Sequence, residues 1–352
     1  MLSGSGTEPA MSSRAALVEL FSHSLTSFQT SKDAFRIVCT LPGRGTTGHG
    51  DTSPPVPRRP QKQRPVKSLV VLDSSFNPPT LAHLRMAASA VRDLQQGQAA
   101  AAKTATEAEA RAGSVRLLLL LAVNNADKKP KPAAFPVRLG MMHAFAADLL
   151  DELGRGPAPG NGGGGLDADE GGIDVDLGLT TMPYFHDKSQ AITDTDFYSE
   201  GDGKGPEQVY LAGYDTLIRI FNPKYYNAAA PSPSADNAGE GDVEAPIRRA
   251  LDPFLGRSRL RITMRTDDDW GGEGEQVAYL QRLRDDGLEE VGGRKEWGDR
   301  VELVSGRREG EEVISSTKVR EAAKRGDSEK LGGLLSARVR DWVVAEGLYR
   351  DE

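Results

Sequence analysis

The fold is decided by Leu69-Val-Val-Leu-Asp-Ser-Ser-Phe-Asn-Pro-Pro-Thr-Leu-Ala-His-Leu-Arg85. Its apolar start, residues 69–72, predicts a strand that is buried on both faces. The paired prolines that follow lack backbone N–H donors, so the strand cannot continue through them. Thr80 is a suitable N-cap residue, and a helix is predicted over 83–96. The stretch therefore predicts a strand, a tight turn and a helix in succession.

Strands and helices alternate on both sides of this stretch. Further strands are predicted at 35–40, 115–123, 173–179, 208–212, 259–265 and 300–304. Further helices are predicted at 11–38, 136–153 and 215–221 and, near the end, from Thr317, Ser328 and Ala337. Such alternation is typical of an α/β fold with a doubly wound, parallel, Rossmann-like sheet. Sheets of this kind bind ligands beyond the carboxyl ends of their strands, where the 74–80 turn is expected.

Composition divides the chain into three parts. Residues 1–41 are predicted to form an N-terminal helical extension, 42–67 a flexible linker and 68–352 one α/β domain. Gly-rich segments near 154–172 and 228–245 are predicted to be disordered insertions in that domain. The linker ends in a basic run, which fits either a solvated linker or a patch for nuclear import or an anionic surface.

Charge and cysteine content restrict the class of protein. The net charge is -7 with a pI near 5.5, which argues against a nucleic-acid-binding domain because such domains are usually basic. The single cysteine, Cys39, excludes an intrachain disulfide. The N-terminus lacks the basic and apolar regions of a secretory signal, and the apolar run at 115–123 is too short to span a bilayer. A cytoplasmic or nuclear protein without a membrane partner is expected.

The turn before the first long helix has the chemistry of an anion site. A helix N-terminus presents free N–H groups and a partial positive charge. His83 follows Thr80 by three residues, on the same face of the first helical turn. Its imidazole is therefore predicted to face a bound anion. The alternative is that Thr80 is only a cap and His83 packs in the core.

A second hydroxyl-rich segment, Ile314-Ser-Ser-Thr-Lys-Val-Arg320, stands near the C-terminus. Ser315 or Ser316 is predicted to cap a helix and leave its N–H groups free for a second phosphate contact. Arg320 adds a guanidinium whose paired donors fit phosphate oxygens. The alternative is an ordinary capped helix with exposed basic side chains.

Together the two motifs resemble the HxGH/ISSTxxR nucleotidyltransferase superfamily, and most closely the eukaryotic, fungal-type nicotinamide mononucleotide adenylyltransferases. Residues 75–85 are similar to the family's SFNPxTxxHLR segment, and 314–320 to its ISSTKxR segment. Residues 125–142 resemble the family's DxxKK loop and following helix, and 211–215 its GxD strand end. The resemblance covers about 68–350, apart from the Gly-rich insertions.

The resemblance implies transfer of AMP from ATP to nicotinamide mononucleotide, which gives NAD and pyrophosphate. His83, Thr80 and Arg320 would then be catalytic residues. ATP would be bound by Ser75, Phe76, Ser315, Ser316, Thr317 and Arg320. The acceptor nucleotide would be bound by Lys128, Lys129, Arg138, Gly213, Asp215, Tyr184 and Phe185. Mg²⁺ is expected to enter with ATP and to bridge phosphate oxygens, without a metal site made by the protein.

The chain departs from the family where the acceptor base would bind. Animal enzymes stack the nicotinamide ring on Trp residues, whereas this chain has no Trp at 180–189. Tyr184 or Phe185 either stacks the ring instead or packs in a loop. Ala82 also replaces the motif's Gly, which restricts how closely a ligand approaches.

Two alternatives therefore stay open. The first is an adenylyl- or cytidylyltransferase with another phosphate acceptor, such as nicotinate mononucleotide or phosphopantetheine. The second is a nucleotide-binding regulatory protein with weak or no turnover. In that case the N-terminal helix and the basic linker would hold a protein partner.

Overall fold

The computed structural model describes residues 8–43, 55–62, 64–102, 114–123, 133–155, 172–199, 205–226, 245–265, 270–306 and 311–350. The predicted insertions at 154–172 and 228–245 lie outside these residues except at their ends, and so do Lys128 and Lys129. None of the helices in these ranges is both long and apolar enough to pass through a membrane.

The helices and strands follow one another in an α/β order. They are α1 (Glu8–Thr30), β1 (Phe35–Leu41), β2 (Val66–Asp73), α2 (Leu81–Ala102), β3 (Ser114–Ala122), α3 (Phe135–Gly154), β4 (Val175–Thr180), α4 (Phe185–Asp194), β5 (Glu207–Gly213), α5 (Tyr214–Ile220), α6 (Pro246–Arg257), β6 (Ser258–Thr263), α7 (Glu273–Arg282), β7 (Val301–Val304), α8 (Ser316–Lys324), α9 (Ser328–Leu334) and α10 (Ala337–Ala345). These elements fall into two compact units. The first contains Met1–Pro183, Ala191–Pro206 and Ile314–Glu352, and the second Tyr184–Gln190 and Glu207–Val313.

The first unit is built on four strands. Strands β2, β3 and β4 run parallel, and β1 pairs antiparallel with β4. The middle strand, β3, is buried along residues 115–121, as expected for a strand covered on both faces. Helix α1 packs against α3 and contributes the buried rings of Phe21 and Phe28 to the core.

The second unit has three parallel strands, β5, β6 and β7. Its core contains the fully buried ring of Tyr210, which meets Phe254 of α6 edge to face at 5.4 Å. Leu251, Leu260 and Ile262 are also buried in this unit. Burial of this apolar surface stabilises the unit, because it removes hydrocarbon from water.

The structure confirms the predicted α/β class with parallel strands, and it corrects three details. The N-terminal helix ends at Thr30 rather than at residue 38, because Ser31 accepts from the backbone N–H of Asp33 and donates to the carbonyl of Phe28. Strand β1 is antiparallel, so the sheet is mixed at this edge. Helices α4, α6 and α7 were not predicted.

Residues 55–62 of the predicted linker lie beside β1. The backbone N–H of Thr40 donates to the carbonyl of Val56 at 3.1 Å, and the N–H of Arg58 donates to the Thr40 hydroxyl at 2.9 Å. The guanidinium of Arg59 donates to the carbonyl of Asp196 and lies over the ring of Phe197. Part of the basic run therefore has partners within the first unit.

A buried ion pair joins β3 to β4. Arg116 donates to both carboxylate oxygens of Asp176, at 2.6 and 2.9 Å, and the two side chains are 3% and 0% exposed. The hydroxyls of Thr40 and Tyr198 also donate to Asp176, at 2.6 and 2.8 Å. We call these four residues the Asp176 cluster. Its carboxylate is paired and hydrogen-bonded, which a buried charge requires.

Candidate functional site

The 74–80 turn follows β2 and has a fixed shape. The N–H of Ser74 donates to the carbonyl of Leu120 and so extends the contact between β2 and β3. Phe76 adopts a φ of 45°, in the left-handed region that non-glycine residues rarely enter. Its ring is fully buried, so packing offsets the backbone strain. The turn is therefore held by the strand on one side and by the core on the other.

The imidazole of His83 is held by hydrogen bonds at both ring nitrogens. The backbone N–H of Thr80 donates to Nδ1 at 3.0 Å, and the Thr80 hydroxyl lies 2.9 Å from the same atom. This contact resembles a capping box, in which a side chain three residues into the helix accepts from the N-cap N–H. Because Nδ1 accepts from a backbone N–H, the hydrogen-bond network assigns the ring proton to Nε2, 3.0 Å from the Ser74 hydroxyl.

The charge state of His83 follows from its surroundings. Burial lowers the pKa of His83 to about 4, so the ring is neutral at pH 7. The ring of Phe76 lies 5.6 Å away and contributes to this apolar environment. The side chain is half-buried, and its Nε2–H bonds to the half-buried Ser74. The structure thus has Thr80 immediately before α2 and His83 in the first turn of that helix.

The N-terminus of α8 lies against the 74–80 turn. Ser315 is the cap, because its hydroxyl accepts from the N–H of Lys318 at 3.3 Å. Ser316 instead donates to the carbonyl of Pro78 at 2.8 Å, across 238 positions of sequence. The first turn of α8 contains no acidic residue that would oppose an anion there.

Arg320 strengthens the same contact. Its Nη1 donates to the carbonyl of Asn77 at 2.8 Å, and its Nη2 donates to the Thr317 hydroxyl at 3.2 Å. The two sequence motifs are therefore adjacent in the first unit. The N-termini of α2 and α8 both meet the 74–80 turn, which brings two sets of helix N–H groups to one place.

Arg138 also lies at this turn. It donates through Nε to the carbonyl of Ala133 at 2.7 Å, and through Nη1 to that of Ser75 at 3.4 Å. Burial lowers the pKa of Arg138, and the nearby charge of Arg320 lowers it further, against an opposite influence of Tyr349. The sequence assigned Arg138 to the acceptor, whereas the structure positions it beside residues assigned to ATP.

Gly213 and Asp215, predicted to contact the acceptor ribose, lie in the second unit, where β5 ends and α5 begins. A Cβ at position 213 would stand 2.9 Å from the Oδ1 of Asp215, so glycine leaves room for that carboxylate. Asp215 forms ion pairs with Arg265 at 3.4 Å and Arg219 at 3.7 Å. These ion pairs hold the Asp215 carboxylate, which can accept hydrogen bonds, just after the carboxyl end of β5.

The two candidate stacking residues differ in their surroundings. Tyr184 is 47% exposed, and its ring stacks on His186 with centroids 5.5 Å apart and planes 5° apart. Phe185 begins α4 and packs against Tyr210 at 5.1 Å. Tyr184 therefore retains exposed ring surface, while Phe185 takes part in the packing of the second unit.

Three residues that meet at the turn were given no role in the site predicted from the sequence: Ser74, Asn77 and Tyr349. Ser74 and Asn77 stand inside the first motif, so their position in it was an available signal. The Oδ1 of Asn77 accepts from the N–H of Ala133 at 2.8 Å and from the hydroxyl of Tyr349 at 2.9 Å. Tyr349 is 272 positions from Asn77, and no local pattern indicates such a contact.

Comparison with known proteins finds a relative that is similar to most of the chain. No protein-family model matches this chain. The chain is 28% identical over 285 residues to a Schizosaccharomyces pombe protein named "Putative nicotinamide mononucleotide adenylyltransferase". The match covers 81% of this chain and 87% of that protein. The resemblance predicted from the two motifs is thereby confirmed.

Two solved structures of Plasmodium falciparum nicotinic acid mononucleotide adenylyltransferase are remotely similar. The complex with NaAD is 12% identical with a TM-score of 0.40, and the complex with APC is 11% identical with a TM-score of 0.41. Each match covers 80% of this chain and 97% of the other. These TM-scores are too low to support an assignment of substrate.

Proposed function

We propose that this chain is a nucleotidyltransferase of the HxGH/ISSTxxR superfamily that transfers AMP from ATP to nicotinamide mononucleotide. The products are NAD and pyrophosphate. The name of the S. pombe relative supports both the reaction class and this acceptor. The proposal therefore combines the likeness to that protein with the chemistry of the chain's own residues.

One observation carries the proposal: Ser316 and Arg320 of α8 hydrogen-bond to the carbonyls of Pro78 and Asn77, just before α2. Two helix N-termini then share one turn, and each favours negative charge. A triphosphate has the length and charge to engage both. Arg320 and Lys318 on α8 and the neutral imidazole of His83 add side-chain donors of the kind that bind phosphate oxygens.

The reaction needs no covalent intermediate on the protein. A phosphate oxygen of the acceptor attacks the α-phosphorus of ATP and forms a new P–O bond. The bond between the α-phosphorus and its bridging oxygen to the β-phosphorus breaks, and pyrophosphate leaves with that electron pair. Catalysis then consists of positioning and of stabilising charge on the leaving group.

His83 has a defined part in this reaction. Its Nε2–H donates to the Ser74 hydroxyl in the free protein. A phosphate oxygen of ATP would replace that hydroxyl as the acceptor, while the Thr80 N–H keeps the ring oriented through Nδ1. The neutral ring supplies a donor for the charge that develops on the leaving pyrophosphate. Thr80 would act by holding the tautomer.

Mg²⁺ would enter as part of the MgATP substrate. Mg²⁺ prefers oxygen ligands and retains several waters, so phosphate oxygens supply most of what it needs. In the ranges that the structure covers, no three or more His, Cys, Asp or Glu side chains group together as a metal site. The ion would be held by the triphosphate, with the protein contacting the phosphates.

The acceptor residues that the resemblance implies include Asp215 and Tyr184. Asp215 would accept hydrogen bonds from ribose hydroxyls through the carboxylate for which Gly213 leaves room. Tyr184 is the better candidate for stacking the base, because its ring surface is exposed whereas Phe185 packs on Tyr210.

The direct test is an assay of the purified chain with MgATP and a panel of acceptors. Nicotinamide mononucleotide is expected to give a dinucleotide and pyrophosphate in equal amounts, separated by chromatography. Product only with nicotinate mononucleotide or phosphopantetheine would replace the acceptor and keep the reaction class. Tight ATP binding with no product from any acceptor would contradict the proposal and favour a regulatory protein.

Replacing Arg320 with Ala is expected to weaken the use of ATP. The substitution removes a charged donor that contacts both Asn77 and Thr317 at the shared turn. Hydrogen bonds to charged groups contribute about 1.5–3 kcal/mol, so kcat/KM for ATP should fall roughly tenfold to a hundredfold.

Arg325→Ala is the matched control, because Arg325 is an exposed arginine at the opposite end of α8. It should leave KM and kcat for ATP unchanged. Steady-state kinetics of both variants at saturating acceptor decide the matter. Equal kinetic constants for Arg320→Ala and Arg325→Ala would remove Arg320 from the site.

A further inference from the structure

Asn77 joins three segments of the first unit at the 74–80 turn. Its side-chain Oδ1 accepts from the N–H of Ala133 at 2.8 Å and from the hydroxyl of Tyr349 at 2.9 Å. Its backbone carbonyl accepts from Arg320 at 2.8 Å. A carbonyl oxygen has two lone pairs, so both positions on Oδ1 are used. Asn77 is 5% exposed, and water has little access to replace a lost donor.

Tyr349 reaches Asn77 because the chain turns sharply after α10. Gly347 and Tyr349 have φ values of 58° and 68°, both in the left-handed region. The N–H groups of Gly347 and Leu348 bond back to carbonyls of the last turn of α10, at 3.3 and 3.0 Å. The Tyr349 side chain is 5% exposed, so water has little access to its hydroxyl.

Helix α10 is itself anchored on α3. The indole of Trp342 lies against Gly140 so closely that a Cβ there would stand 2.5 Å from it. Helix α3 in turn begins two residues after Ala133, whose N–H is the other donor to Asn77. Helix α10, which leads to Tyr349, therefore packs on α3, the helix that begins just after Ala133.

We propose that Tyr349 is a positioning residue for the nucleotide site: its hydroxyl fixes the Asn77 side chain and, through it, the turn that orients His83 and receives Arg320. The inference rests on the proposed function, because it takes ATP as the ligand of that turn. Tyr349 touches no reacting atom in this account. It acts by keeping the carbonyls of Asn77 and Pro78 where α8 meets them.

Tyr349→Phe tests this role, because it removes the hydroxyl and keeps the ring. Tyr198→Phe is the matched control: Tyr198 is equally buried in the first unit, and its hydroxyl also donates to a buried side chain, Asp176. Asp176 lies near the start of β4, whereas Asn77 follows the carboxyl end of β2. Strands β2, β3 and β4 are parallel. Tyr349 therefore hydrogen-bonds at the carboxyl end of this part of the sheet, and Tyr198 near its opposite end.

Two measurements separate positioning from stability. In the free protein, the His83 ring resonances in NMR spectra, assigned by their loss in His83→Gln, are expected to move in Tyr349→Phe and to stay in Tyr198→Phe. In kinetics, Tyr349→Phe is expected to raise KM for ATP roughly fivefold to tenfold. Tyr198→Phe should leave KM unchanged although both variants lower the melting temperature.

A merely structural role would give a different result. If Tyr349→Phe lowers the melting temperature but leaves both the His83 resonances and KM for ATP as in the wild type, the proposal is overturned. The NMR measurement needs no substrate. A chain that makes no dinucleotide would therefore contradict the proposed function, while the His83 resonances would still decide whether Tyr349 positions the turn.

Discussion

The His83→Ala variant is expected to lose about a hundredfold to a thousandfold in kcat for dinucleotide formation. The substitution removes the Nε2–H donor that would stabilise charge on the leaving pyrophosphate. Loss of one preorganised donor to developing charge costs a factor of this order in other enzymes. The measurement is steady-state kinetics with saturating ATP and acceptor, so that weaker binding does not enter the rate.

A second variant, His83→Gln, separates the effect on turnover from the effect on stability. His83 also accepts the Thr80 N–H in the first turn of α2, so its removal costs a cap contact of about 1 kcal/mol. Gln at this position is a normal partner in a capping box and should restore that contact. His83→Gln is therefore expected to regain the stability but little of the turnover. Wild-type turnover in either variant would refute the assignment of His83.

Asp176→Ala is expected to lower the free energy of unfolding by about 3–5 kcal/mol. It leaves the guanidinium of Arg116 buried without the carboxylate that accepts two of its hydrogen bonds. It also removes the acceptor for the hydroxyls of Thr40 and Tyr198. Urea denaturation followed by circular dichroism measures the change. KM for ATP should be unaffected in the folded variant, because the Asp176 cluster lies away from the carboxyl ends of the strands.

Two controls decide whether the buried charge causes the loss. Asp33→Ala breaks the exposed ion pair with Arg36, where Asp33 is 46% exposed, and should cost no more than about 1 kcal/mol. The double variant Arg116→Met, Asp176→Leu should cost less than Asp176→Ala alone, because it removes both charges together. A loss for Asp176→Ala as small as that for Asp33→Ala would show that the cluster contributes little.

Patterns within short stretches of sequence predicted the elements that depend only on neighbouring residues. The apolar run at 69–72, the paired prolines and Thr80 specify β2, the turn and α2 without reference to other segments. The direction of β1 depends on its partner β4, which lies more than a hundred residues away in sequence. Helix α6 was missed because Pro253 lies inside it and Pro commonly breaks helices.

The candidate site was predicted to a similar degree. The sequence predicted that Thr80, His83, Ser316 and Arg320 share one site, and the structure has Ser316 and Arg320 bonded to the turn that leads to Thr80 and His83. Which side chains hold that turn was not predictable, since Tyr349 meets Asn77 only after α10 has packed on α3. The roles of these residues in binding and catalysis stay predictions.

The segment at 55–62 also bears on how the edge of the sheet at β1 is protected. An edge strand offers a row of unpaired backbone groups that template the addition of another chain. Here the outward N–H of Thr40 already bonds to Val56, and Arg58 and Arg59 bring positive charge to that border. Deleting residues 55–62 would expose the outer edge of β1. That edge could then pair with β1 of another copy of the chain, so self-association would increase even if the core stayed folded.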